Sequence, residues 1–65
     1  MNKEFKRGDV VVKIGDFTKF VVFCAGNGWI EVNNRDTYKT VVYSTESAYR
    51  NFVKVGVDRR FVHGK

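Results

Sequence analysis

Basic residues interleaved with aromatic residues are the part of this sequence best suited to chemistry. Lys39 follows Tyr38, Arg50 follows Tyr49, and the candidate stacking rings are Trp29, Tyr38 and Phe17. Cations of this kind neutralise phosphates, and aromatic rings offer faces on which unpaired bases stack. The predicted binding residues are Lys13, Lys19, Trp29, Arg35, Tyr38, Lys39, Arg50 and Lys54.

The charge balance of the chain points to the same class of ligand. Twelve basic and seven acidic residues give a net charge of +5, and the isoelectric point is about 9.7. A surplus of this size favours a polyanionic partner, of which nucleic acid, DNA or RNA, is the commonest. Charge alone does not separate this from a basic surface with another role.

Residues suited to catalysis are scarce. His63 is followed only by Gly64 and Lys65, and chain ends usually fray, so it is not held for acid–base work. No paired carboxylates, nucleophile motif or phosphate-binding glycine loop occurs. The aspartates occupy turns or the tail, where this residue type forms turns. They are Asp9, Asp16, Asp36 and Asp58. We therefore expect no enzymatic activity.

Cysteine and histidine usage limits cross-links and metals. One cysteine excludes a disulfide within the chain, and one cysteine with one histidine does not make a zinc site. No cofactor or metal is expected. Cys24 lies in the apolar run 21–25, which predicts a buried small hydrophobe in a reducing compartment. The polar start and the lack of an apolar run of about 18 residues predict a cytoplasmic chain without a membrane partner.

Length and composition predict one small folded domain. The chain has 65 residues, of which 43% are hydrophobic and 15% aromatic. A domain of this size has little stability to spare, so an efficient core, self-association or a bound partner must supply it. We expect a barrel over roughly 5–56 and a basic tail over 57–65. In the tail, Arg59-Arg60 with Phe61-Val62 can contact phosphates, a sheet edge or a partner.

Closely spaced turn residues separate runs rich in valine and aromatics, which predicts an all-β domain of five strands. Leucine and proline are absent. Gly28 is predicted to have a positive φ in a tight hairpin turn. Ser44 or Thr45 is predicted to cap a short helical turn that runs through Tyr49 to Asn51. The predicted strands are Asp9–Ile14, Thr18–Ala25, Trp29–Asn33, Tyr38–Tyr43 and Phe52–Val55, the last ended by Gly56.

Alternation along the strands predicts which side chains face inward. In the first strand we expect Val10, Val12 and Ile14 inside. In the third strand Ile30 and Val32 form the inner set, which leaves Trp29 on the wetter face. The second strand is apolar on both faces, so it is either covered twice or lies at an interface, and self-association stays open. The phenylalanines assigned to the core are Phe20, Phe23 and Phe52.

Residues 5–12 read FKRGDVVV and resemble the opening of SH3-like small β-barrels, a group that includes KOW, Tudor and related bacterial or phage modules. Gly8 allows a sharp reversal, and Asp9 can bind nearby backbone N–H groups. The resemblance covers roughly 5–56 and implies an SH3-like five-stranded barrel with one helical turn before the last strand. The KOW-type pattern is met at Gly8, Asp9, Val11, Gly15 and Phe17. Its later glycines are replaced by Thr18, Lys19 and Phe20.

A more distant resemblance is to the type II dihydrofolate reductases, which are also short SH3-like barrels. Residues 40–43 read TVVY where those enzymes carry Val-Gln-Ile-Tyr before a helical turn. Tyr43 matches their tyrosine, but Val41 stands at the glutamine position, and the chain contains no glutamine. The resemblance therefore implies the barrel and not folate or nicotinamide recognition.

Together these observations predict a non-catalytic binding module, with nucleic-acid binding or nucleic-acid-associated regulation as the leading function. A protein-interaction module, such as a small phage-type protein that docks on a host enzyme, is the alternative. The two differ in what drives binding. Nucleic-acid binding weakens steeply with salt, whereas a protein interface centred on Trp29, Phe20 and Phe23 depends more on aromatic truncation.

Overall fold

The computed structural model describes residues 5–58 and shows an all-β fold with one short helix. The five strands form a single antiparallel sheet in the order β4-β3-β2-β1-β5. This confirms the predicted fold class, and the sheet is compatible with a small barrel. The elements are β1 (Asp9–Lys13), β2 (Lys19–Gly26), β3 (Trp29–Asn34), β4 (Thr40–Ser44), α1 (Thr45–Asn51) and β5 (Phe52–Val57).

The turn residues have the conformations that the sequence predicts. Gly28 has a φ of 86° between β2 and β3, and Gly8 has a φ of 93° before β1. Both values lie in the left-handed region that glycine enters without a Cβ penalty. The Lys6 N–H donates to Asp9 Oδ2 at 2.7 Å, which fixes the reversal that leads into β1.

The core lies on one face of the sheet, beneath α1. Phe52 is its centre, since the rings of Phe20 and Tyr43 meet it edge to face at 5.2 and 5.1 Å. The helix is held at its start by Ser44, whose Oγ accepts the Ser47 N–H at 3.1 Å. The other buried members of this cluster are Phe5, Val11, Val22, Ile30, Val32 and Ala48.

The predicted inward face of β1 is wrong. Val11 is fully buried, Val10 and Val12 are half-buried, and Ile14 is exposed beyond the end of the strand. Asp9, two positions before Val11, is also buried, and its carboxylate accepts the Lys6 N–H and lies 3.3 Å from the Lys54 ammonium. Because strand side chains alternate, Asp9 and Val11 belong to the same set, and this set, not that of Val10 and Val12, is the buried one.

In β2 the structure corrects two further assignments. Phe20 and Val22 are core residues, but Cys24 is exposed and Phe23 is only half-buried outside the core cluster. The register with β3 shifts between Val22 and Cys24, which marks a bulge. Beyond that bulge the β2 side chains of Cys24 and Ala25 are exposed, whereas Ile30 of β3, which pairs with Ala25, remains in the core.

Element boundaries differ from the prediction at several points. β4 begins at Thr40 and not at Tyr38, which lies in the preceding loop; α1 begins at Thr45; and β5 continues through Gly56 to Val57. Ile30 and Val32 face the core as predicted. No helix within residues 5–58 is long and apolar enough to cross a membrane. His63 and the tail residues 59–65 lie outside the described residues.

Candidate functional site

Two loops lie side by side at one end of the sheet. Residues 14–18 join β1 to β2, and residues 35–39 join β3 to β4. Both border the start of β2, where the Arg35 N–H donates to the Lys19 carbonyl oxygen at 3.0 Å. These two loops together with Lys13 and Lys19 are called the loop end below.

The two loops share one backbone form and present an aromatic ring at the same position. The Phe17 N–H donates to the Lys13 carbonyl oxygen at 2.9 Å, and the Tyr38 N–H donates to that of Asn34 at 2.7 Å. Phe17 has a φ of 61° and Tyr38 a φ of 64°, and both side chains are 77% exposed. A bulky residue in this region costs on the order of 1 kcal/mol, and such strain concentrates at functional sites.

Short polar side chains hold these loops in shape. Asp16 Oδ1 accepts the Thr18 N–H at 2.9 Å, and Asn34 Oδ1 accepts the N–H of Asp36 at 2.7 Å. Hydrogen bonds from the Thr18 backbone and hydroxyl, with the nearby charge of Lys13, lower the pKa of Asp16 from its ordinary value. The loops are therefore pre-organised by their own side chains, and the aromatic rings are not needed to close them.

Most of the predicted cations come together at the loop end. The end of α1 also borders this region, because the Ile14 N–H donates to the Asn51 carbonyl oxygen at 2.8 Å. Arg50 precedes that contact in the last turn of α1. The predicted binding residues at or next to the loop end are Lys13, Lys19, Arg35, Tyr38, Lys39 and Arg50.

Two predicted binding residues lie elsewhere. Lys54 is on β5, where its Nζ is 3.3 Å from Asp9 Oδ1. Trp29 begins β3, about 17 Å from Asn34 at the strand's other end, since each residue advances about 3.3 Å. Its half-exposed ring covers the backbone of Gly26. Trp29 and Tyr38 therefore do not form one stacking surface.

A groove on the sheet face opposite the core was not predicted. Its volume is about 630 Å³. Val21 and Asn33, paired in register between β2 and β3, are only 2% and 7% exposed there. The residues that line it are Arg7, Val21, Phe23, Asn33, Arg35, Tyr38 and Asp58. The two apolar faces of β2 were the sequence signal for this surface.

A long-range ion pair adds residues that no sequence pattern connects. Arg35 Nη1 is 3.0 Å from Asp58 Oδ2, across 23 positions of the chain. Asp58 follows β5, and its N–H donates to the Gly8 carbonyl oxygen at 2.7 Å. The pair thus ties the end of β5 to the loop 35–39 and to the rim of the groove.

Within the described part of the chain, no group of three or more histidine, cysteine, aspartate or glutamate side chains is arranged to hold a metal ion. Comparison of the chain with protein-family models, with curated proteins and with solved structures found no match. The geometry of the loop end and the groove is therefore the basis for a functional conclusion.

Proposed function

We propose that this chain is an SH3-like barrel that binds nucleic acid through its loop end and has no catalytic role. The observation that carries the proposal is the matched pair of exposed rings, Phe17 and Tyr38, held at positive φ among lysines and an arginine. Strain retained at two equivalent positions supports a use for the rings beyond folding.

The chemistry of the loop end suits this ligand. The ammonium groups of Lys13, Lys19 and Lys39 neutralise phosphates, and each base stacked on an aromatic ring contributes about 1–3 kcal/mol. The Asp16 carboxylate accepts the Thr18 N–H within its loop, whereas Asp36 contributes only its backbone N–H, which donates to Asn34 Oδ1. The order of four strands, a helical segment and a last strand supports the SH3-like assignment.

The direct test is binding of labelled single-stranded DNA and RNA, followed by fluorescence anisotropy over a range of salt concentrations. Lys19→Ala and Lys39→Ala should each weaken binding of all sequences and reduce the salt slope by about one. Lys6→Ala is the matched control, because it removes the same charge at the opposite end of β1. Its effect on the slope should be smaller.

The alternative, a protein-docking module, makes a different prediction. It expects no binding of labelled DNA or RNA at low salt, even at tens of micromolar protein, where non-specific phosphate contacts normally suffice. That result would remove the nucleic-acid proposal. If Lys6→Ala and Lys39→Ala reduced the salt dependence of binding equally, the loop end would be excluded as the binding surface.

A further inference from the structure

The groove has the size and place of a ligand site next to the loop end. Its volume of about 630 Å³ lies within the range of about 300–1,000 Å³ typical of small-molecule sites. Tyr38 belongs both to the loop end and to the groove lining. A strand of nucleic acid on the loop end would therefore pass the mouth of the groove.

Asn33 provides the groove with one acceptor. Its Nδ2 donates to the Tyr38 carbonyl oxygen at 2.9 Å and to Thr40 Oγ1 at 3.2 Å, which uses both of its N–H bonds. Within residues 5–58 no donor meets Asn33 Oδ1. No buried side-chain polar atom of the described residues lacks a partner, so this oxygen is accessible to solvent, and Asn33 is one of the residues that line the groove.

The walls combine apolar and aromatic surface, on which a flat ring can stack, with charged side chains at the rim. Val21, Phe23 and Tyr38 supply apolar and aromatic surface. The Arg35 guanidinium is 3.0 Å from the Asp58 carboxylate, so these two charges offset each other at the rim, and Arg7 adds a further cationic side chain to the lining. Neutral rings with a polar edge are held in such places by stacking together with hydrogen bonds.

We propose that the groove takes one unstacked nucleobase that carries an exocyclic amino group, with Asn33 Oδ1 accepting from that group. This inference deepens the proposed function and rests on it. Adenine, cytosine and guanine have such an amino donor, whereas thymine and uracil have none. A base paired in a duplex cannot enter, so single strands bind better than duplexes.

Nuclear magnetic resonance of the full isotope-labelled chain tests the groove directly. Adenosine, cytidine and guanosine monophosphates should shift the side-chain amide signals of Asn33, and uridine monophosphate should shift them much less. Ribose 5-phosphate, which has no base, should perturb the backbone signals of Lys19 and Lys39 and leave Asn33 unchanged.

Affinities for short homo-oligonucleotides give the second measurement. Oligo(dA) and oligo(dC) should bind about fivefold more tightly than oligo(dT), the effect of one neutral hydrogen bond. Phe23→Leu, which keeps apolar volume but removes the ring, should lower the first two affinities severalfold without changing the salt slope. Val42→Ala, on β4 outside the groove lining, is the control and should change neither.

The outcomes separate the two proposals. Oligonucleotides that bind with equal affinity and leave the Asn33 signals unmoved would overturn the groove inference while the loop end stands. Absence of any oligonucleotide binding at low salt would overturn both. An acidic peptide that shifts Asn33 when no nucleotide does would make the groove a peptide site and also overturn the inference.

Discussion

At the scale of single residues, Phe17 and Tyr38 combine two unfavourable features, a left-handed backbone and an exposed ring. Glycine or asparagine at either position would relieve the backbone strain without a loss of packing. The hydrogen bonds at these positions are made by backbone atoms, which any residue supplies. The side chains themselves therefore contribute little to stability, which separates their effect on binding from their effect on folding.

Replacement of Tyr38 tests this separation. We expect Tyr38→Gly to leave the free energy of unfolding unchanged or to raise it by up to about 1 kcal/mol, because strain is released. The same change should weaken binding of single strands roughly tenfold, since a stacked base is lost. Thermal unfolding and anisotropy are the two measurements. A variant that unfolds more easily while it binds normally would show that the ring serves the fold.

Asp16 provides a pH-dependent readout of the first loop. The pKa of Asp16 in the folded state is lowered, chiefly by the hydrogen bond that its carboxylate accepts from the Thr18 N–H. The stabilisation by its ionised form is therefore complete above the unfolded value of about 3.9 and is lost as pH falls through the lower folded value. The Thr18 amide signal should titrate below about pH 3.9 and should not titrate in Asp16→Asn, which keeps an acceptor. A midpoint above the ordinary value would contradict the assignment.

At the scale of elements, the β2–β3 hairpin depends on a close contact between Gly26 and Trp29. A Cβ at Gly26 would collide with the indole ring. Gly26→Ala should therefore displace Trp29, lower stability by about 1–3 kcal/mol and shift tryptophan emission to longer wavelength. Gly56→Ala is the control in β5, because its Cβ would meet no atom within 4 Å. Equal stability of the two variants would mean that Trp29 moves freely.

The turn of the same hairpin has its own requirement. Gly28 has a φ of 86°, a conformation that β-branched residues resist, although the space around it is open. Gly28→Val should destabilise the protein by about 1 kcal/mol or more. Denaturant unfolding measures this, and an unchanged midpoint would show that the turn adapts.

The elements also show what local sequence can predict. The turns at Gly8 and Gly28 and the five strands follow from residues that act on their own backbone. The face of β1 depends on Asp9, whose partner Lys54 is 45 positions away. The exposure of Cys24 depends on a bulge in the pairing with β3. Such long-range contacts leave no pattern in the local sequence. The alternation of apolar residues alone therefore predicted the wrong inward face for β1 and a buried Cys24.

The candidate site divides in the same way. Tyr38 and the lysines of the loop end were predicted from their residue types, but Tyr38 was placed at the start of a strand. Its left-handed φ depends on the hydrogen bond to Asn34 across the loop. The groove could be predicted only from the order of the strands in the sheet. Asp58 follows β5, which lies next to β1 and two strands from β2, and the ion pair with Arg35 joins it to the groove.

At the scale of the whole molecule, the two edge strands leave apolar surface uncovered by residues 5–58. On β5, Val53, Val55 and Val57 are 50%, 57% and 47% exposed, and on β4 Val42 is exposed as well. Within the described residues β5 pairs with β1 and with no other strand. An edge with free N–H and C=O groups and apolar side chains favours pairing with another strand.

We expect a second copy of this chain to pair with β5 at high protein concentration. Two β5 strands would meet antiparallel with valine against valine, and Lys54, the only charged residue of the strand, is already paired with Asp9. Sedimentation from micromolar to millimolar concentration should show a reversible dimer, and Val55→Lys should abolish it through like-charge repulsion. Ile14→Lys, equally exposed in the first loop, should leave the dimer intact. A protein that stays monomeric at all concentrations, or a dimer that both variants weaken equally, would exclude β5 as the contact. A dimer that only Val55→Lys disrupts would form through β5. In such a dimer the loop end of each copy would remain open to a strand of nucleic acid.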